Sequence, residues 1–153
     1  DTFVPASKQV GQMQTLLENL YKQETTFGET DFSALCGHLG KHVNKRSFLV
    51  LYTNFSNMTS LNRQLVYLQQ LARQHRVLVV FFEDADLKEY IAGKSVTTEE
   101  YYRHVIAEKF AFEKRLIVST LKQHGIYSLL TTPDKLSIDV INKYLEMKSR
   151  QLL

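Results

Sequence analysis

Val77-Leu78-Val79-Val80-Phe81-Phe82, followed at once by Glu83 and Asp84, is the longest unbroken apolar run in the chain. Its length is that of a strand, and apolarity that is continuous rather than alternating means that both faces are to be covered, as in a parallel sheet. Ser47-Phe48-Leu49-Val50-Leu51-Tyr52-Thr53 upstream reads the same way and is closed by Asn54, Ser56 and Asn57. Downstream, Ile126 to Thr131 supplies a third strand. Between the first two, Leu61, Leu65, Leu68, Ala72 and His75 recur at helical spacing. Between the second and third, Tyr102, Val105, Ile106, Lys109, Phe110, Leu116, Ile117 and Leu121 fall mainly on one helical stripe. That helix opens on a capping box, Thr97 to Glu100, and stops at Gly125. After Pro133, a last helix places Val140, Ile141, Tyr144, Leu145 and Lys148 on one face.

Working outward to the front, Met13, Leu16, Leu17, Leu20 and Tyr21 predict one helix, and Phe32, Leu35, Cys36, Leu39 and Val43 a second. The second is expected to begin at Thr30, whose hydroxyl can cap free amides, with Asp31 set against the positive end of the dipole. The order is then helix, helix, and strand-helix three times over. Strands alternating with helices imply crossovers, a mostly parallel sheet and helices on both faces, a three-layer α/β domain. No linker or repeat divides the chain, so one domain over 1–153 is expected. Three strands are few for so many helices, and the two leading helices have no strand before them, so the front of the fold is expected to lie upstream. A chain that opens on Asp1 instead of Met fits a fragment or a processed form.

Composition narrows the class. At 153 residues, 44% apolar and 23% charged with six Gly and two Pro, the chain can build one core and is neither disordered nor of low complexity. No apolar stretch approaches the roughly 20 residues that span a bilayer, and no targeting segment opens the chain. The net charge of +3, from 19 basic and 16 acidic residues scattered along the chain, is too mild to imply nucleic acid. The aromatics fall on core stripes, which argues against an RNA module. The single cysteine, Cys36, lies on an apolar helix face and reads as a small buried hydrophobe.

In open parallel sheets ligands collect beyond the carboxyl ends of the strands, where this sequence places Thr53, Asn54, Ser56, Asn57, Glu83, Asp84, Asp86, Thr131 and Thr132. Such oxygen-rich loops suit Mg²⁺ or Mn²⁺, and the same residue types also cap helices. A signal-receiver domain would place acids here too, but it needs a Lys after its last strand, where this chain has Thr131-Thr132-Pro133. His38 and His42 have the i, i+4 spacing of zinc helices without a third ligand, so a surface pair is expected. His75 and His124 sit where a cation complements a helix end. No nucleophile elbow, catalytic triad order, phosphate-cradling Gly loop or Cys pair occurs.

Three blocks resemble a known family: Arg46 to Phe55, Leu71 to Val80, and Asn142-Lys143-Tyr144-Leu145-Glu146-Met147-Lys148. They are similar to the carboxy-terminal part of a bacterial family of uncharacterised, membrane-anchored proteins with a von Willebrand factor A-like domain, commonly encoded beside MoxR-type AAA+ ATPases. Phe3-Val4-Pro5 looks like the exit from that family's third strand. The resemblance implies a doubly wound sheet of order 3-2-1-4-5-6, of which this chain holds the last three strands. It also implies a degenerate metal-ion-dependent adhesion site. The Asp-x-Ser-x-Ser loop is not in this sequence; Thr30 sits where the family's Thr is expected, and Asn54 where its Asp would fall. A neutral amide in place of a carboxylate weakens a divalent site.

The resulting expectation is a non-enzymatic adaptor domain partnered with a MoxR-type ATPase, at the cytoplasmic face of the inner membrane in the intact protein. No cofactor is assigned to this chain, and Mg or Mn is an option only for the intact protein. With the first strand absent, the Ser47 to Thr53 strand becomes an apolar edge, which predicts a homo-oligomer through that edge. The alternative is a divalent-metal-dependent phosphoryl-transfer or hydrolytic enzyme using Glu83, Asp84 and Asp86.

Overall fold

The computed structural model describes residues 2–5, 7–8, 10–24, 30–55, 57–83, 87, 90–91, 93 and 97–152. The chain divides into two compact units, Asp1–Asp31 and Phe32–Leu153. The first holds helix α1 (Gln12–Tyr21), which starts at Gly11 in a left-handed conformation and buries none of its side chains. Gln12 Nε2 donates to Pro5 O at 2.9 Å and Gln23 Nε2 to Thr2 Oγ1 at 3.1 Å, so the extended front of this unit is hydrogen-bonded to the helix and its exit.

The second unit runs α2 (Phe32–His42), β1 (Phe48–Tyr52), α3 (Met58–Gln74), β2 (Arg76–Phe82), α4 (Thr98–Gln123), β3 (Tyr127–Thr131) and α5 (Leu136–Ser149). The strands form one parallel sheet in the order β1-β2-β3, with Val50 opposite Leu78 and Val80 opposite Leu129. This is the α/β architecture expected, with β2 in the centre and the order required of three consecutive strands on one side of a doubly wound sheet. Two crossovers that step the same way across a parallel sheet leave their helices on one face. Accordingly Leu61, Leu68 and Leu71 of α3 and Ile117 and Leu121 of α4 join Val77, Val79 and Phe81 in one buried cluster, to which α2 adds Phe32.

α5 covers the opposite face. Its Tyr144 ring lies 5.8 Å from Phe48 of β1, its Asp139 accepts from Thr131 of β3, and its Met147 is buried. Leu78 and Val80 are fully buried on this side without joining the other cluster. On α5 Met147 is buried and Val140 half-buried, whereas Ile141 and Leu145, expected inside, are exposed; Tyr144, 38% exposed, meets the sheet through its ring contact with Phe48.

Short-range signals shape the ends as anticipated. Thr97 and Glu100 form a reciprocal capping box at the start of α4. At its end Gly125 takes φ +72°, Gly125 N donates to Lys122 O, and Ile126 N to Leu121 O, each at 3.0 Å. That is a Schellman ending, closed by contact between the apolar side chains of Leu121 and Ile126 in the core. α2 begins at Phe32, two residues after the expected Thr30, leaving Asp31 as the residue that precedes the helix.

Two further expectations are corrected. β1 is not buried on both faces: its residues are half-buried and Tyr52 is 58% exposed, because it is an edge strand of the described sheet. The stripe on α4 is buried only in its second half. Tyr102, Val105, Ile106, Phe110 and Leu116 are exposed, and the inward residues are Ala107, Ile117 and Leu121. The reason is length, since 26 helical residues extend about 39 Å and the five-residue strand that follows covers about 17 Å.

Candidate functional site

The carboxyl ends of the strands gather the polar residues that the topology predicts, and Asn54, Asn57 and Thr131 are engaged there through their side chains. Asn57 caps α3, its side-chain oxygen accepting from Ser60 N at 2.9 Å. Thr131, buried at the end of β3, donates its hydroxyl to Asp139 Oδ2 at 2.5 Å and so ties the first turn of α5 to the sheet. Thr53 N donates to Val80 O at 3.0 Å and Glu83 N to Thr131 O at 2.9 Å, extending the sheet's hydrogen bonding one residue past β1 and past β2. Ser56, Asp84 and Asp86 lie outside the described residues.

Asn54 has a partner that the sequence reading did not single out. Lys114, in the middle of α4, donates from Nζ to Asn54 Oδ1 and to Phe55 O, the latter at 3.1 Å. Phe55 is buried, stacked with Phe32 and edge-on to Phe81, so the core holds the carbonyl that receives the ammonium. Burial pushes the Lys114 pKa down, since the ammonium is partly removed from water. Lys114 lies on the inward line of α4 with Ala107, Ala111, Ile117 and Leu121 at spacings of three and four. A lysine on an otherwise apolar line was the available signal.

Beside this ammonium a cavity of about 170 Å³ is lined by Glu83, Leu87, Ile91, Glu108, Ala111, Lys114 and Arg115. Its two carboxylates and two cations balance formally. Among the described residues no three His, Cys, Asp or Glu side chains converge as a metal would require. Thr30, the other candidate ligand, belongs to the first unit, outside any helix, and is exposed. The donors at the exit of β1 are thus an amide oxygen and a main-chain carbonyl that already face an ammonium, a set that does not fit a divalent ion.

The remaining candidates resolve as structure. The His38 and His42 rings stack with centroids 4.3 Å apart, and His42 Nδ1 lies 2.9 Å from His38 O. His75 caps α3 by position, and it is buried with its Nδ1 accepting from Ser47 N at 3.3 Å, so it joins α3 to the start of β1. His124, exposed, directs Nδ1 at Thr120 O at 2.8 Å and serves the last turn of α4 as expected. Cys36 packs against the core with Sγ 3.6 Å from Tyr67 O, and burial pushes its thiol pKa up, which makes it a weak nucleophile.

Among the described residues no helix is long and apolar enough to cross a membrane. Comparison with protein-family models, with curated proteins and with solved structures finds no match.

Proposed function

We propose that this chain is a non-enzymatic protein-interaction domain of von Willebrand A type, working as an adaptor for a MoxR-type AAA+ ATPase. Its place in the intact protein is the cytoplasmic face of the inner membrane, with the anchor outside this sequence. The observation that carries the reading is the β1 edge: an apolar parallel strand that pairs on one side only among the described residues and leaves Tyr52 exposed at its end. Such an edge presents unpaired amides and carbonyls to an incoming strand, which is how sheets recruit other chains, including a second copy of themselves. The engagement of Asn54, Asn57 and Thr131 in caps and ties agrees with a scaffold that binds without turning over a substrate.

Purified protein is examined by light scattering across concentration, alone and with a MoxR-type ATPase in the presence of ATP. The expected results are concentration-dependent self-association and a complex with the ATPase, both weakened by Leu51→Pro, which places a proline in the edge strand. A chain that is monomeric at high concentration overturns the edge pairing, and failure to bind the ATPase overturns the adaptor role. Mg²⁺-dependent hydrolysis of a phosphate ester that disappears in Glu83→Gln would instead establish the enzymatic alternative.

A further inference from the structure

We infer that the Lys114 ammonium is the cation of the strand-end pole, standing against the oxygens that leave β1 and excluding a divalent ion from them. Ligands of open α/β sheets bind in a crevice outside the carboxyl ends of the strands, the end of the sheet at which Asn54 and Phe55 lie. Lys114 reaches that place from sixty positions along the chain and donates to both residues. Its position is held from two sides. α4 carries it on the inward line that continues into the buried Ile117 and Leu121, and the Phe32, Phe55 and Phe81 rings hold the receiving carbonyl.

A divalent ion bound to Asn54 Oδ1 would sit roughly 2.0–2.6 Å from that oxygen and hence share it with Nζ, within about 5 Å of the ammonium. Two cations against two uncharged oxygens repel, with no carboxylate at Asn54 to offset the dehydration of the ion. The neighbouring cavity reinforces this, since Glu83, Glu108, Lys114 and Arg115 all line it and their formal charges sum to zero. The tethered ammonium does what an ion would do in such a crevice, orienting the loop that leaves the edge strand, and it does so independently of metal. The exclusion holds whether or not the chain meets an ATPase, so its failure leaves the adaptor reading in place.

The test is Mn²⁺ binding to the full chain, followed by electron paramagnetic resonance and by thermal unfolding. Wild type is expected to show no saturable binding and an unmoved midpoint. In Lys114→Met combined with Asn54→Asp, which removes the ammonium and restores a carboxylate, Mn²⁺ at roughly tenfold over its Kd is expected to raise the midpoint by about 4 °C. Lys114→Arg with the same Asn54→Asp change keeps the cation and is expected to stay silent. Saturable Mn²⁺ binding by wild type that Asn54→Ala abolishes overturns the inference. So does a double variant with native circular dichroism that takes up no Mn²⁺. Should Lys114→Met prevent folding, Lys114→Gln, uncharged and polar, replaces it with the same expectations.

Discussion

The two faces of the sheet are built from the same three strands and are covered very differently. On one, Leu49, Leu51, Val77, Val79, Phe81 and Leu130 meet α2, α3 and α4 in a single contiguous cluster. On the other, among the described residues of this unit, Phe48, Val50, Leu78, Val80 and Leu129 have one helix, α5, laid from β3 across to β1 and held there by a hydroxyl-carboxylate bond at one end and a Tyr144–Phe48 ring contact at the other. One helix is about 10 Å wide and strands are spaced about 4.8 Å apart, so three strands exceed what a single helix can shield. The difference teaches where stability resides. Face one contributes it through many redundant contacts, whereas face two depends on a few ties that fasten one element.

The largest expected effect breaks the redundant face. Leu121 is fully buried between α4 and the sheet, and Leu121→Ala leaves a cavity that should cost about 3 kcal/mol, read as a fall in the unfolding midpoint of roughly 6–12 °C. Next is the tie of the sparse face. Asp139→Ala leaves the buried Thr131 hydroxyl only its longer bond to Thr132 O at 3.3 Å, which should cost about 1 kcal/mol in denaturant unfolding. Hydrogen exchange should then quicken in α5 before it does in α3, and equal protection of the two helices would show that α5 is not fastened separately.

A smaller effect works in the opposite direction. α5 ends in a Schellman arrangement, Gln151 N to Lys148 O and Leu152 N to Met147 O, each at 3.0 Å, with Gln151 held at φ +55°. Glycine adopts that conformation without strain, so Gln151→Gly should stabilise the protein by about 0.5 kcal/mol through the element that shields face two. The smallest effect is electrostatic. Hydrogen bonding and charge from Lys143, with Arg150 adding its field, hold the Glu146 carboxyl below its ordinary 4.5. A lowered folded value means that the unfolded chain binds the proton more readily, so this contribution is present above pH 4.5 and fades as pH falls through the folded value. The difference in midpoint between wild type and Glu146→Gln should therefore shrink on acidification, and a difference that is flat with pH would remove the pair from the account.

Much of the fold was legible because its signals are short-ranged. The apolar run Val77 to Phe82 became the central strand, Thr97 and Glu100 became a capping box, and Gly125 became the left-handed residue of a helix ending. Each of these depends on residues a few positions apart. The misread features share a different character. Val105, Ile106 and Phe110 have the spacing of a core stripe, yet they lie on the part of α4 that runs past the short strand β3. Ile141 and Leu145 look inward by pattern, but α5 rotates to set Tyr144 over Phe48 and Asp139 on Thr131. His75 ends α3 as its position implies, but its ring also accepts from the amide of Ser47, 28 positions away, a partner that no local pattern announces. The strand-end pole was legible in part: Asn54 was identified by position, and Lys114 passed unnoticed within an amphipathic pattern.

The sequence by itself determined the order of elements, the parallel α/β class and the caps that begin and end α4, since these follow from backbone preferences and side-chain periodicity within a turn or two of chain. Tertiary structure alone decided which helix faces are covered, which polar strand ends are tied, and which charge stands at the exit of β1. Those outcomes depend on lengths and distances between elements far apart in sequence. A lysine and an asparagine sixty residues apart carry no mark of one another until a sheet and the helix packed on it bring them together.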